Sequence, residues 1–250
     1  MEATVYGVPG SHPVKAGMLM LAHKGIQAKR VDLPNAAHRP ILRALGFPGT
    51  TVPAVKVEGK KLQTTRGLAR ALDELSPDPP LLPADPVLRA RVEEAERWGD
   101  EELQGVARRL AFSSPMRRRR TDFVDFFEGP LLGIPPRLAV ATAAPLLALS
   151  AKLNKSTDEA VRADLVALPG MLDHVDALIA EGVIGGPSRN AADFQITTSL
   201  RLLMCFDDIR PAVEGRPAGR LTLEVVPEYA GHVGPALPAD WLTPLRASPA

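Results

Sequence analysis

The chain of 250 residues has one cysteine, Cys205. That excludes an internal disulfide framework and a zinc site built from several thiolates. The five histidines, His12, His23, His38, His174 and His232, have no ligand spacing, so no metal is expected. Aromatic residues make up only 4% of the chain, which leaves Leu, Ala and Val to fill the interior. Neither sign of charge dominates: 30 Lys and Arg stand against 29 Asp and Glu, a net charge of +1. Nucleic acid is therefore not an expected partner. An almost wholly apolar stretch, Leu138 to Ala151, is 14 residues long, too short for a membrane span, so no stable membrane insertion is expected. The N-terminus carries no signal-peptide pattern, and a cytoplasmic, reducing setting is the expectation.

Apolar residues and prolines are plentiful: 45% of the chain is hydrophobic, and 25 prolines gather at junctions. Residues 2–8 read as a strand that breaks at Pro9-Gly10. Ser11 stands at a helix start with Pro13 two residues on, and a Met-rich helix follows over 14–24. A small hydroxyl beside the free N–H groups of a helix start suits an anion. Residues 28–33 form a second expected strand and 39–45 a short helix. Val52-Pro53 enters a third strand through 57, Gly59-Lys60 turns a hairpin, and 61–63 return. Thr64-Thr65 opens a helix over 66–75 with Leu68, Ala71 and Leu72 on one face. The order is β-α-β-α-β-β-α.

This order, with the Tyr6-to-Ser11 loop, Val52-Pro53 and Thr64-Thr65 at their spacings, resembles the thioredoxin-like N-terminal domain of glutathione transferases. The resemblance implies an α/β domain followed by an all-helical bundle. On that reading residues 1–75 are the thiol-binding domain, 76–86 a proline-rich linker, 87–230 the helical domain and 231–250 an irregular tail. Within the helical part, 87–112 reads as a long helix weakened at Gly99 and Gly105, and 121–127 as a short one. Residues 137–153, which include the apolar stretch, read as a buried central helix, with a lipid-contacting surface as the sharper alternative. Residues 158–180 form a capped helix that Pro169 bends or breaks. Asn190 and Asp193 form a capping box for an apolar helix reaching Cys205-Phe206, a motif with a counterpart in the family's helical domain. A short last helix is expected over 220–226.

The resemblance also assigns roles. Ser11 matches the position of a catalytic Ser or Cys and would donate to the sulfur of glutathione. Tyr6 is the other candidate hydroxyl, with packing as its structural alternative. Val52 would pair through its backbone with the thiol peptide, next to a cis bond at Pro53. Thr64 and Thr65 would hold the γ-glutamyl end, although Thr64 lacks the acid usual there. His38 would meet a ligand carboxylate; His12 would tune Ser11 or meet such a carboxylate, with a solvated ring as its plain alternative. Without a Cys at Ser11, thiol exchange and dithiol redox chemistry are not expected. The co-substrate would be glutathione or another low-molecular-weight thiol, and the partner a small apolar electrophile or ligand. The resemblance further suggests a homodimer. The competing reading is a non-catalytic protein of the same fold that binds an apolar ligand or a protein. A weaker one is a relative of the type-2 prostaglandin E synthase group, whose Cys motif is absent. The run Arg117 to Arg120 reads as a solvated face, and Cys205 as a core residue.

Overall fold

The computed structural model describes residues 1–246. Strand β1 (Glu2–Gly7) alternates exposed and buried positions, as a half-covered strand must. Helix α1 (His12–His23) returns the chain to β2 (Gln27–Asp32), parallel to β1. Helix α2 (His38–Ala44) leads to β3 (Ala54–Val57) and β4 (Lys60–Gln63), an antiparallel pair, and α3 (Thr65–Leu75) closes the domain. The four-stranded sheet has the order β2-β1-β3-β4, with β3 antiparallel to β1. The N-terminal part is thus thioredoxin-like.

Residues 76–85 form neither helix nor strand but are held tightly. Lys24 reaches Asp73 at 2.5 Å and the carbonyls of Ser76 and Pro79 at 2.6 Å. The Asp73 carboxylate accepts from the N–H groups of Leu81 and Leu82, whose side chains enter the core. One carboxylate and one ammonium therefore satisfy each other and four backbone groups at the crossing between the two parts.

The rest is helical: α4 (Pro86–Trp98), α5 (Gln104–Ala111), α6 (Ser114–Arg118), α7 (Pro136–Ala141), α8 (Ala144–Leu153), α9 (Asp158–Ala180), α10 (Ala191–Leu203), α11 (Arg210–Glu214), α12 (Pro217–Val225) and α13 (Thr243–Arg246). The expected helix 87–112 is α4 and α5 joined by a π-helical turn, Gly99–Leu103. A Cβ at Gly99 would sit 3.0 Å from Ile196, so glycine allows α4 close to α10. Residues 120–126 form a 3-10 helix in place of the expected α-helix.

Helix α10 is the hub. Each of its 13 residues is buried, and it packs against α1, α3, α4, α5 and α12. Its capping box is complete. Asn190 accepts from the N–H groups of Ala192 and Asp193, and Asp193 accepts from those of Asn190 and Gly185.

Two expectations need correction. Residues 137–153 are not a buried central helix. They split at Thr142-Ala143 into α7 and α8, because Pro145 sits in the first turn of a new helix, where its missing N–H costs nothing. These helices lie at the periphery, burying Val140 and Leu147 while Leu138 is 57% exposed. The tail is also not wholly irregular. Residues 239–242 form a 3-10 turn, α13 follows, and Leu237, Trp241 and Leu242 are buried. Trp241 lies under the Arg162 guanidinium at 4.7 Å, a cation–π contact with α9 that local sequence does not announce. Residues 247–250 of the expected tail lie outside the described residues. Pro169 does not break α9, which runs on through it from Asp158 to Ala180.

Replacing Asp193 with Ala strips the acceptor from two backbone donors, one of them buried at the start of the most enclosed helix. We expect a loss of about 2–4 kcal/mol in urea unfolding. A loss under about 0.5 kcal/mol would mean that α10 does not depend on its cap.

Candidate functional site

Helix α1 starts at a sharp turn. Gly10 has φ +68°, and a Cβ on it would meet the Phe126 ring at 2.8 Å. Ser11 follows at the N-cap in extended conformation, yet its side chain makes no capping hydrogen bond. The simple capping role is therefore not how this hydroxyl is used. Ser11 lines a cavity of about 250 Å³ between the thioredoxin-like part and the helical part.

The cavity's polar and charged lining includes Ser11, His12, His38, Arg39 and Arg108, and Val52 lines it too. The apolar wall includes Phe112, Phe126, Val140, Leu147, Leu202 and Phe206. No aspartate or glutamate lines it. His12 is 2% exposed, and its Nε2 has no hydrogen-bond partner among the described residues. Burial, and then the neighbouring Arg108 guanidinium, hold this imidazole well below the usual histidine pKa, so it is neutral at pH 7. His38 is shifted the same way, by burial and then by Arg39, and its Nδ1 is unpartnered too. Burial also lowers the pKa of Arg108, with Arg109 adding to the shift and Asp100 opposing it. The two adjacent arginines differ sharply. Arg109 holds Asp164 through two hydrogen bonds of 2.6 and 2.7 Å, whereas Arg108 forms no ion pair or side-chain hydrogen bond among the described residues.

Of the residues singled out from sequence, Ser11, His12, His38 and Val52 come together at this cavity. The Val52-Pro53 bond is cis, and the Pro53 ring lies beside Gly17 of α1, behind the cavity lining. Tyr6 must be corrected. Its side chain packs edge-on against Phe47 at 5.6 Å, within a separate small cluster with Leu33 and Leu42, and does not line the cavity. Strand alternation decides this: Val5 and Gly7 face α1, so Tyr6 faces the other side of the sheet. Thr64 and Thr65 do not line the cavity either. Thr64 adopts φ +64°, its hydroxyl accepts from the Gly67 N–H at 3.0 Å, and Thr65 is buried. The Thr64 hydroxyl thus serves the start of α3. Cys205 is buried, and burial pushes its thiol up to about 11, so it is no nucleophile at neutral pH.

Several residues at the site carry no sequence signal of their own. Arg108 stands on α5, and Phe126 is held between Gly10 and Gly231, which has φ +120°. Tyr229 donates from its buried hydroxyl to the Gly10 carbonyl at 2.8 Å, and burial raises its pKa well above that of an ordinary phenol. Arg30 pairs with Glu128 beside it. Segments 126–128 and 229–231 thus close over the Gly10-Ser11 turn. An aromatic amid glycines at Tyr229-Ala230-Gly231 is the only hint in the sequence.

Residues 5–80 match the family model described as the glutathione S-transferase N-terminal domain. Solved structures that resemble the whole chain include poplar glutathione transferase F1, at 16% identity and TM-score 0.60, covering 98% of this chain and 97% of that one. Glutathione transferase F2 from Populus trichocarpa matches at 17% identity and TM-score 0.57, with 98% and 97% coverage. A GST-like protein from Pseudomonas syringae matches at 19% identity and TM-score 0.55, covering 94% of this chain and 70% of that one. No curated protein matches the sequence. The N-terminal part belongs to the glutathione S-transferase N-terminal domain family, and the chain as a whole has the glutathione transferase fold.

The lowered histidines make stability depend on pH. Below the ordinary value of 6.5 the unfolded chain takes up protons at His12 and the folded one does not, so stability falls as pH drops. His12→Gln removes that proton. Between pH 6.5 and about 5.5, its stability should fall less steeply than that of the unmodified chain, by up to about 1.4 kcal/mol per pH unit. Parallel slopes in urea unfolding would show that His12 titrates alike in both states.

Proposed function

We propose that the protein is a glutathione transferase-like enzyme that adds a thiol peptide to an apolar electrophile. The observation that carries this reading is Ser11, whose hydroxyl is not used as a cap, and which stands at the positive end of α1 and lines a cavity with no acid in its lining. A thiol of ordinary pKa is mostly protonated at neutral pH. A donated hydrogen bond and the end of a helix both favour the thiolate. The thiolate sulfur then bonds to the electrophilic carbon, and the leaving group departs with its electron pair. The proton lost by the thiol goes to solvent.

The backbone of Val52 lies at the cavity, where it would pair with the peptide of glutathione or a related small thiol. The first N–H groups of α3, at Thr65 and Arg66, have no intrahelical acceptor and would take a carboxylate of that peptide. His38 and Arg39 offer cationic or donor groups on the opposite lip. The apolar wall would hold the electrophile.

The second reading, a non-catalytic binder of an apolar ligand or a protein, is favoured by Thr64 and Thr65. Thr64 stands where the resemblance expects an acid, and neither threonine lines the cavity. The two readings separate in one experiment. With glutathione and chlorodinitrobenzene, the enzyme reading expects conjugation, with kcat lowered about 10- to 100-fold by Ser11→Ala, in line with the loss of one positioned donor. It also expects glutathione to raise the melting temperature. Absent turnover together with no shift by glutathione would leave the binder.

A further inference from the structure

We propose that the cavity selects an anionic acceptor, a carboxylate borne on an apolar body, with Arg108 as the partner of the carboxylate. The proposal deepens the reading above and rests on the cavity being the acceptor pocket.

A guanidinium taken partly out of water is costly unless it is paired, and Arg108 has no such pair among the described residues. Arg109, one residue on, is fully engaged with Asp164. The surroundings could therefore have supplied a carboxylate to α5, and did so only on the side away from the cavity. Arg108 itself lines the cavity.

The lining then selects the ligand class. A neutral apolar ligand would seal Arg108 away from water and leave it unsatisfied, at a cost. A cation would face Arg39 and Arg108 with no acid to receive it. A carboxylate suits Arg108, because the planar guanidinium fork presents two parallel donors to its two oxygens. One guanidinium on the helical side of a cavity of about 250 Å³ fits one anionic group, with the remaining wall left for rings or chains. His38 and Arg39 belong to the thioredoxin-like lip, whereas Arg108 reaches in from the helical side. The two cationic groups therefore serve different parts of a two-substrate site.

Binding and turnover test this separately. Decanoate and decanol are titrated calorimetrically into the full chain without thiol. Decanoate should bind at least about tenfold more tightly. Arg108→Met should abolish that preference, and Arg108→Lys should restore part of it. Equal affinities in the unmodified chain, or a preference that survives Arg108→Met, overturns the proposal. In turnover with glutathione, chlorodinitrobenzoate should be preferred over chlorodinitrobenzene, and Arg108→Met should erase that ratio. Equal losses for both electrophiles would make Arg108 a thiolate-stabilising group and refute the acceptor role. If neither electrophile reacts, the transferase reading fails, and the decanoate titration still decides the anion site.

Discussion

Helix α10 is the constraint on which this molecule turns. A helix enclosed on every side cannot send polar groups to water, so each must be satisfied internally. Its hydroxyls do this by bonding back along the helix: Thr197 to the Asp193 carbonyl at 2.6 Å, Thr198 to that of Phe194 at 2.8 Å, Ser199 to that of Gln195 at 3.1 Å. Arg201 donates to the Val226 carbonyl at 3.1 Å. The side chain of Gln195 stays unpaired among the described residues, a visible cost of so closed a position. In return α10 locks onto α1, where the His23 and Phe194 rings meet edge-on at 5.5 Å. The start of α1, with Ser11 and His12, is thereby fixed against the far end of α10, where Leu202 and Phe206 form the cavity wall.

The clamp at Lys24 and Asp73 acts on the same seam from the opposite end of α1. So does Arg70 of α3, which holds the buried carboxylate of Glu96 on α4 at 2.7 Å. Burial raises the pKa of Glu96, and the guanidinium opposes that shift. Breaking such a pair on one side leaves a charge with no compensation. The orientation of the two parts is therefore set by polar contacts at the rim and by apolar contacts at α10. The cavity between them inherits that rigidity.

The first 75 residues were legible because their signals are local. Alternation in Glu2–Gly7, the hairpin, whose turn is Glu58-Gly59, one residue before the expected Gly59-Lys60, and the cap at Thr64 each act within a few residues. The capping box at Asn190 and Asp193 was legible for the same reason. Residues 137–153 were misread because apolar composition gives the affinity for an interior but not the side from which it is approached. The buried tryptophan of the tail depends on Arg162, far away in sequence, and no nearby pattern encodes it. At the site, Ser11 and Val52 followed from spacing within one domain. Arg108, Phe126 and Tyr229 did not, because each is brought to the Gly10-Ser11 turn by the folding of another part of the chain.

The field inside the cavity follows from where its charges stop. With His12 held neutral, Arg108 is the cationic side chain of the helical side, and the free end of α1 adds a partial positive charge beside Ser11. No acid cancels either. Under the proposed chemistry, two anions, a thiolate and a carboxylate, would share this small space and repel each other. The arrangement answers that repulsion by dividing the donors. The Ser11 hydroxyl and the α1 terminus face the thiol side, while Arg108 reaches in from α5. A protonated His12 would add a third positive charge and blur the division. Burial, and then Arg108, keep His12 neutral and so leave that division in place.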